Sequence, residues 1–362
     1  MKVPKAAIQE EIRRHAVLPF ARFMELALYC PETGYYERQQ DNVGKRGDFI
    51  TSVSVGSLFG ELLAFQFADW LETETQSQQA KIRIIEAGAH DGKLAADILN
   101  WLQIHRPKFF ERIDYGIIEP SLRRQQWQRE TLAAFSGKVF WAADFENLRF
   151  KIQDSKFTGI LFSNELLDAF PVHRYSWDAK EKKWFEWGVA LNGDQFIWAK
   201  IHDSKFTIHD LGLEAVLPDG YIIETSPAAE NWWRAAAQTL AHGKLLAIDY
   251  GFTASELFSP SRTQGTLRAY HRHQVTTDLL AHPGEQDLTA HVNFPAIQQV
   301  GEAAGLKTES LSTQPQFLTR ILEKAVKEKI FTVLDARQIR QFQTLTHPEH
   351  LGRAFSVLIQ SR

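Results

Sequence analysis

The chain has 362 residues, which is long enough for two domains or for one enzyme-sized α/β domain with insertions. Its 41 lysine and arginine residues face 44 aspartate and glutamate residues, and this balance argues against a nucleic-acid interface built on general phosphate neutralisation. A hydrophobic fraction of 44% excludes wholesale disorder. The single cysteine, Cys30, excludes an internal disulfide and a cysteine-based structural zinc site.

The sequence shows no pattern of a targeting or membrane segment. No apolar stretch approaches the ~18 residues that a membrane span needs, so we expect no membrane insertion. Residues 1–14 lack the apolar core of a secretory signal, and they carry Glu10 and Glu11, which a mitochondrial transit peptide would avoid. These features predict a cytoplasmic protein.

The first 76 residues are predicted to form a helical segment with a glycine-bearing loop. Helices are expected over residues 4–15, 19–29 and about 55–72. The loop from Asn42 to Ser54 lies between the last two helices, and the polar stretch 72–79 reads as a linker. We therefore divide the chain into a segment 1–76 and a domain 77–362.

The domain after the linker alternates strands and helices. Short buried strands are expected over residues 82–86, 115–119, 139–143, 160–163, 221–225 and 245–248. Helices are expected over residues 92–102 and 122–135, and a further helix opens at Ser226-Pro227 and closes at Gly243. Because helices join buried strands, the pattern predicts an α/β fold with a parallel sheet covered on both faces.

Two parts of this domain depart from that alternation. Residues 171–177, 184–190 and 196–201 are short, aromatic and partly alternating, so we expect inserted antiparallel hairpins over about residues 171–220. The carboxyl-terminal part is expected to add helices and a closing strand, over residues 295–304, 317–328, 336–345 and 355–359.

The sharpest local motif runs from Ile84 to Leu94, where a strand, a glycine turn and a helix follow one another. A dinucleotide-binding turn would also need glycine at the positions of His90 and Lys93. The two glycines that remain, Gly88 and Gly92, suit a cofactor without phosphate at that point, such as S-adenosylmethionine (SAM). The alternative is an ordinary strand–helix turn.

Polar residues follow the next strands at the sheet edge where open α/β folds bind ligands. Glu119 could accept both ribose hydroxyls of a nucleoside, or be a solvated strand-end carboxylate. Asp144 could bind an adenine amino group, or cap a turn. Asn164, Glu165 and Asp168 are expected to cluster beyond the fourth strand. The two carboxylates share a face of a helical turn and could clamp a cationic substrate or cap the helix.

A metal-dependent hydrolase is a second alternative that the residue types allow. The carboxyl-terminal third contains six candidate ligands, namely His271, His273, His282, Glu285, Asp287 and His291. Their spacing matches no zinc pattern, so we predict no metal site. The sequence also lacks a Walker phosphate loop and a Gly-x-Ser-x-Gly elbow, which counts against an ATPase and a serine hydrolase.

Taken together, the motifs of the chain resemble the MidA family of SAM-dependent methyltransferases. They fall in one order over nearly the whole chain, at residues 23–29, 31–36, 47–51, 58–62, 86–94, 164–172, 227–230, 248–251, 265–270, 284–294 and 352–355. The family turn usually reads Glu-Leu-Gly-Pro-Gly-x-Gly, and this chain departs from it at Ala89 and His90. The family includes the mitochondrial complex I assembly factor that methylates a protein arginine.

The resemblance implies a class I SAM-methyltransferase (Rossmann-like) α/β fold, SAM as cofactor and a protein acceptor. By the same resemblance the acceptor is an arginine, on a target similar to a respiratory complex I subunit. A non-catalytic assembly chaperone that retains the fold is a third alternative. We expect neither nucleic acid nor membrane as a partner and leave open a homo-oligomer.

The expected site residues come from these motifs and, for Glu119 and Asp144, from the strand-end positions described above. The cofactor-binding residues are expected to be Gly47, Asp48, Thr51, Glu86, Gly88, Gly92, Glu119 and Asp144. The catalytic residues are expected to be Glu165, Asp168 and Asn164, with the two carboxylates holding the guanidinium. The substrate-binding residues are expected to be Tyr35, Asp249, Tyr250, His291 and Asn293. Residues 47–51 are expected to form part of a lid, and residues 291–294 to line an acceptor channel.

Overall fold

The structure is a computed structural model that describes residues 3–38, 51–74, 81–201, 217–257, 259, 262–271, 274–331, 334–352 and 355–362. Gly47 and Asp48, two of the expected cofactor-binding residues, lie outside the described residues, as does His273. Within the described ranges, no helix combines the length and the hydropathy needed to cross a membrane.

The elements follow one another in the order that the hydrophobic pattern predicts, with several additions. The helices are α1 Pro4–His15, α2 Phe20–Tyr29, α3 Ser52–Val55, α4 Leu58–Glu74, α5 Lys93–His105, α6 Pro107–Arg112, α7 Leu122–Thr131, α8 Phe145–Ile152, α9 Pro227–Thr239, α10 Ala254–Leu257, α11 Phe294–Ala303, α12 Gln314–Lys327 and α13 Ala336–Thr346. The strands are β1 Leu18–Pro19, β2 Ile82–Ala87, β3 Ile113–Ile118, β4 Val139–Ala142, β5 Phe157–Asn164, β6 His173–Asp178, β7 Lys183–Asn192, β8 Gln195–Ile201, β9 Ile222–Thr225, β10 Leu240–Phe252, β11 Arg268–His271, β12 Gln274–Thr276, β13 Asp287–Thr289, β14 Val292–Asn293, β15 Lys307–Thr313 and β16 Phe355–Ser361.

A central sheet organises the molecule. Its strand order is β15-β16-β10-β5-β2-β3-β4, and β14 pairs with β10. The strands from β4 to β10 are parallel, whereas β16 is antiparallel to both of its neighbours. The chain moves outward from β2 to β4 and then returns to β5 on the other side of β2. This reversal opens a crevice at the carboxyl ends of β2 and β5, where open α/β sheets bind ligands.

Both faces of the central sheet are covered, as the continuous apolar strands predict. Alternate residues of β2 point to opposite faces, so that Ile84 packs in one core and Ile85 in the other. The first core includes Leu62 of α4 and Ile98 of α5, and the second includes Trp233 of α9. Because the sheet is buried on both sides, the strand ends are fixed points on which a site can be built.

The inserted hairpins form a second, antiparallel sheet, as predicted. β7 pairs with β6 and β8, and β6 pairs in turn with β9. The sequence predicts the strand at 221–225 as part of the central sheet; this prediction is wrong, because β9 is an edge strand of the inserted sheet. β1 also joins this sheet, with Leu18 opposite Val189, so the amino-terminal helices are tied to the insertion. The division at residue 76 stays a prediction.

The helix that opens at Ser226 ends earlier than the sequence indicated. α9 ends at Thr239, and Gly243 lies inside β10, opposite Gly159 of β5. A Cβ atom at Gly243 would come within 1.9 Å of the Gly159 carbonyl oxygen, and the φ angle of Gly243 is +120°. This glycine therefore permits a close approach of two central strands rather than closing a helix.

Candidate functional site

Two adjoining cavities occupy the crevice at the carboxyl ends of the central strands. The larger cavity, of about 690 Å³, is lined by residues after β3 and β4, including Glu119, Asp144 and Phe145. The smaller cavity, of about 210 Å³, is lined by Glu86 and by residues after β5. Residues that line both cavities are Tyr29, Tyr36, Gly88, Arg124 and Leu166. The two cavities thus form one elongated site with two different ends.

Gly88 lies between the two cavities, where the backbone carries no side chain. Its φ angle is +73°, and an added Cβ atom would come within 2.9 Å of the Leu166 Cδ1 atom. A side chain here would be strained and would enter the space that the two cavities share. Gly92 also has a positive φ, of +84°, but among the described residues it lines neither cavity and faces the backbone of Gln128. Gly92 serves the turn and the packing of α5 on α7.

Glu119 faces the larger cavity from a buried position at the end of β3. Its Oε1 atom accepts the Ser121 N–H at 3.0 Å, and its Oε2 atom accepts the Gln128 amide at 3.3 Å. The same Gln128 side chain accepts the indole N–H of Trp141 at 2.9 Å. Burial raises the pKa of Glu119, against the opposing effect of Arg124. Glu119 is therefore not the solvated strand-end carboxylate of the alternative interpretation. A buried carboxyl group that is held in this way suits the recognition of vicinal hydroxyls.

Asp144 follows β4 at the other side of the larger cavity. Its side chain is exposed and caps α8 by accepting the Asn147 N–H at 2.7 Å. Capping, the alternative that the sequence left open, is therefore one function of this carboxylate. Phe145, the next residue, adds an aromatic surface to the same cavity.

Glu86, the penultimate residue of β2, lines the smaller cavity. It is buried, and the Tyr115 hydroxyl donates to its Oε2 atom at 2.7 Å. Burial raises the pKa of Glu86 to about 8. Near pH 7 this side chain is therefore mostly a neutral acid that can itself donate a hydrogen bond into the cavity.

Asn164, Glu165 and Asp168 form one wall of the smaller cavity, as the sequence predicts. The Glu165 Oε1 atom accepts the Ser52 N–H and the Asn164 amide N–H, both at 3.1 Å. The remaining oxygens, Glu165 Oε2 and Asn164 Oδ1, are buried without a hydrogen-bond partner among the described residues. Burial raises the pKa of Glu165 to about 8. Two buried acceptors without a partner, on consecutive residues, suit a ligand rich in N–H donors.

Asp249 of β10 folds the turn that carries this wall. It is fully buried, and it accepts the N–H groups of Leu166 at 3.1 Å, Leu167 at 2.7 Å and Tyr250 at 2.8 Å. Glu165 has a φ angle of +54° in this turn and donates its N–H to the Ile248 carbonyl at 2.9 Å. Asp249, expected to bind substrate, thus contacts backbone and positions the residues that face the cavity.

Two tyrosines of the amino-terminal segment close the site opposite this wall. The Tyr29 hydroxyl donates to the Ala169 carbonyl at 2.9 Å, and the Tyr36 hydroxyl donates to Asp287 at 2.8 Å. Their rings stack with centroids 5.6 Å apart. The sequence predicts the neighbouring Tyr35 as a substrate-binding residue, but its ring is buried in the core of α1 and α2. The two consecutive tyrosines are visible in the sequence, but only the fold shows which of them faces the cavities.

Three further residues expected to bind substrate lie away from the two cavities in the described structure. His291 stacks on Phe252 with centroids 4.3 Å apart, and burial lowers its pKa to about 4. The Asn293 side chain caps α11 by accepting the Ala296 N–H at 3.2 Å. The Tyr250 ring packs on Phe355. His291 and Asn293 line a separate space of about 30 Å³.

The candidate metal ligands do not converge in the described structure. His271 stacks with His282 at a centroid distance of 5.0 Å, whereas Asp287 lies under the Tyr36 hydroxyl. Over the described ranges, no group of three or more His, Cys, Asp or Glu side chains is placed to hold a metal ion.

The fold and the site together define a methyltransferase of the Rossmann-like, nucleoside-cofactor class. A reversal of strand order, a bare glycine after the first parallel strand and a buried carboxyl group after the next are the features of such a cofactor site. The chain belongs to the family described as "Putative S-adenosyl-L-methionine-dependent methyltransferase", whose model matches residues 62–312. The predicted fold class, enzyme class and cofactor, SAM, are thereby confirmed.

The chain is also similar to individual proteins. A crystal structure from Burkholderia thailandensis that contains S-adenosyl-homocysteine has a TM-score of 0.86 and 30% identity, covering 99% of this chain and 92% of that one. The mitochondrial protein arginine methyltransferase NDUFAF7 homolog of Drosophila melanogaster is 26% identical, over 94% of this chain and 80% of its own. The human mitochondrial protein arginine methyltransferase NDUFAF7 is 25% identical, over 96% and 80%.

These relatives correct one prediction. Glu10 and Glu11, together with the lack of an apolar core in residues 1–14, predict a cytoplasmic protein. The relatives from Drosophila and human are mitochondrial, so that prediction is wrong. The physical reason is that acidic residues near one end of a chain are a weak guide to its compartment.

Proposed function

We propose that the protein transfers a methyl group from SAM to an arginine side chain of a partner protein. The observation that carries the proposal is a pair of buried oxygens on the wall of the smaller cavity, Glu165 Oε2 and Asn164 Oδ1, for which the described part of the chain supplies no hydrogen-bond partner. The names of the Drosophila and human relatives, both protein arginine methyltransferases, support the same acceptor.

The residues of the larger cavity fit the cofactor. When bound, SAM supplies a methyl group on a positively charged sulfur, which is open to in-line attack. Glu119 would accept the ribose hydroxyls from its buried position, and Phe145 would cover the adenine. Gly88 leaves the backbone accessible between the two cavities.

The smaller cavity fits a guanidinium better than an ammonium group. A guanidinium is planar and offers five N–H donors in a fixed fork, whereas an ammonium group is a compact point charge. Asn164 and Glu165 present adjacent acceptors, and Asp168 adds a third side chain on the same wall. Tyr29 and Tyr36 supply aromatic surfaces opposite, which suit a flat cation. Holding this fork from one side fixes the free nitrogen for attack.

Glu165 also suits the removal of the proton that the reaction releases. A guanidinium that gains a methyl group and keeps a single positive charge must lose one proton. The Glu165 Oε2 atom, which has no hydrogen-bond partner among the described residues, can accept it. Burial raises the pKa of Glu165 to about 8, and the positive charge of a bound guanidinium would favour the ionised form that can accept the proton.

The proposal is tested by incubating a cell lysate with the protein and with SAM that carries a deuterated methyl group. Mass spectrometry of the digested proteins is expected to show the label on arginine in one protein or a few. Label on lysine or on carboxylates would overturn the arginine acceptor. No label together with no SAM-binding heat in calorimetry would favour the non-catalytic chaperone instead.

A further inference from the structure

A buried glutamine of α7 connects the two ends of the elongated site. Gln128 is fully buried, and every hydrogen-bonding group of its side-chain amide has a partner. The amide nitrogen donates to the Glu119 Oε2 atom at 3.3 Å and to the His90 carbonyl at 3.0 Å. The amide oxygen accepts the Trp141 indole N–H at 2.9 Å. Because Glu119 lines the larger cavity and His90 the smaller one, a single side chain contacts both ends.

The indole of Trp141 fixes the direction of this amide. An indole nitrogen can only donate a hydrogen bond, so it must face the amide oxygen and not the NH2 group. Both N–H groups of Gln128 are therefore turned toward Glu119 and His90. An amide rotated by half a turn would present donors to the indole N–H and an oxygen to the carboxylate and the carbonyl. In a buried place such mismatches are costly, so the observed direction is held.

The Gln128 contact also determines how Glu119 faces the larger cavity. The Ser121 N–H donates to the Oε1 atom at 3.0 Å, and Gln128 donates to the Oε2 atom. The Gln125 amide donates to the Glu119 main-chain carbonyl at 2.8 Å. Each carboxylate oxygen is thus held by one donor and can still accept a second hydrogen bond, from a ribose hydroxyl. A carboxylate that is directed before the cofactor arrives loses less freedom on binding.

The second contact of Gln128 holds the glycine turn. His90 has a φ angle of +46°, which residues with a side chain rarely adopt, and its carbonyl accepts the Gln128 amide. Gly92 permits this approach, because an added Cβ atom would lie 3.3 Å from the Gln128 Cα atom. Gln128 therefore stabilises the turn at the position where this chain has His90 in place of the usual glycine.

Packing alone does not account for a glutamine here. An apolar residue would fill a buried helix position without loss of hydration, whereas a buried amide is costly unless all of its groups are bonded. We propose that Gln128, oriented by Trp141, is a positioning residue for the cofactor that directs Glu119 at the ribose hydroxyls and holds the turn at His90. In the described structure Gln128 lines neither of the two cavities, so it acts through these neighbours. The inference rests on the ribose contact of Glu119 in the proposed function.

The proposal is tested by comparing the binding of two ligands. Calorimetry gives the Kd values of S-adenosyl-homocysteine and of its 2′,3′-dideoxy analogue, which lacks both ribose hydroxyls. Their ratio reports the hydroxyl contacts, because a general disturbance of the fold weakens both ligands alike. Gln128→Met removes the amide and keeps an unbranched side chain. Gln126→Met, at an exposed position of the same helix, is the matched control.

The wild type and Gln126→Met are expected to bind S-adenosyl-homocysteine roughly 100-fold more tightly than the dideoxy analogue, since the analogue forms no hydrogen bond to the carboxylate. In Gln128→Met this ratio is expected to fall to about tenfold or less. An unchanged ratio, with both ligands weakened alike, would overturn the proposal. A wild type that does not distinguish the ligands would overturn the ribose contact and the inference together. Neither outcome bears on the arginine acceptor, which the labelled lysate tests separately.

Trp141→Phe gives a second test that does not depend on the folding of Gln128→Met. This variant keeps an aromatic ring and Gln128 itself, but it removes the indole N–H that orients the amide. The ratio of the two Kd values is expected to fall by about threefold, because the amide can then turn its oxygen toward Glu119. A ratio equal to that of the wild type would overturn the orientation by Trp141 and, with it, the proposal.

Discussion

Glu165 combines three properties that the proposed chemistry needs. One oxygen is held by the Ser52 backbone and the Asn164 amide, the other has no partner in the described ranges, and the side chain lines the smaller cavity. Its left-handed backbone conformation is held by the bond from its own N–H to Ile248 in β10 and by the bond from the next N–H, of Leu166, to Asp249. Sparsely populated backbone conformations of this kind occur where a functional side chain must be held in one direction.

Replacing Glu165 with Gln should therefore reduce kcat for arginine methylation by roughly 100-fold or more, because the proton acceptor and one charge of the clamp are lost. The affinity for SAM, measured by calorimetry, should change little, since Glu165 lies in the smaller cavity. Glu111→Gln, at an exposed position in α6, serves as the control. Full turnover in Glu165→Gln would contradict the assignment.

Gly88 permits a second residue-level prediction. Gly88→Ala should weaken SAM binding by at least about tenfold, because the new methyl group enters the space between the two cavities. Gly193→Ala is the control: Gly193 also has a positive φ, of +59°, but no atom lies within 4 Å of an added Cβ. If both variants lost equal affinity, backbone strain rather than the cavity would be responsible.

At the scale of elements, hydrophobic periodicity predicted the central strands and most helices because each buries a regular apolar face. Periodicity placed β9 in the wrong sheet, since the sequence of a four-residue strand does not indicate which strand it pairs with. It missed the sheet of β11, β12 and β13, whose strands have three or four residues. The contact between Tyr36 and Asp287 spans 251 positions, so no local pattern could reveal it.

The close approach of β5 and β10 gives a prediction about stability. Gly243→Ala should lower the free energy of unfolding by roughly 3 kcal/mol or more, because a Cβ atom would collide with the backbone of the neighbouring strand. Gly137→Ala, where an added Cβ meets nothing within 4 Å, should be neutral or slightly stabilising. Urea denaturation measures both, and equal stability of the two variants would refute the close approach.

At the scale of the whole molecule, the site is assembled from distant regions of the chain. The strand ends supply the carboxyl groups, and the segment around Tyr36 and Glu37 closes over them. Glu37 accepts the Ser121 hydroxyl at 2.7 Å, next to Glu119. The carboxyl-terminal helices contribute through Gln314, which accepts the Ser52 hydroxyl at 3.1 Å. The sequence predicted the strand-end residues because topology fixes their edge, but it could not predict these supports from outside the sheet.

Several buried acids make the stability of the whole molecule dependent on pH. Burial raises the pKa of Glu86 to about 8, from an ordinary value of 4.5. Between these values the folded protein holds a proton that the unfolded chain releases, so the stabilising contribution is complete below pH 4.5 and is lost as the pH rises through about 8. Glu86→Gln should reduce the fall in unfolding free energy over this range by up to about 1.4 kcal/mol per pH unit. Identical pH profiles would contradict the burial of an acid at this position.

The most direct test of the whole account is a crystal structure grown with S-adenosyl-homocysteine and ethylguanidinium, a mimic of the arginine side chain. We predict the nucleoside in the larger cavity with its ribose on Glu119, and the guanidinium in the smaller cavity, within hydrogen-bond distance of Glu165 and Asn164. A nucleoside bound elsewhere, or a smaller cavity in which ethylguanidinium contacts none of these oxygens, would contradict it.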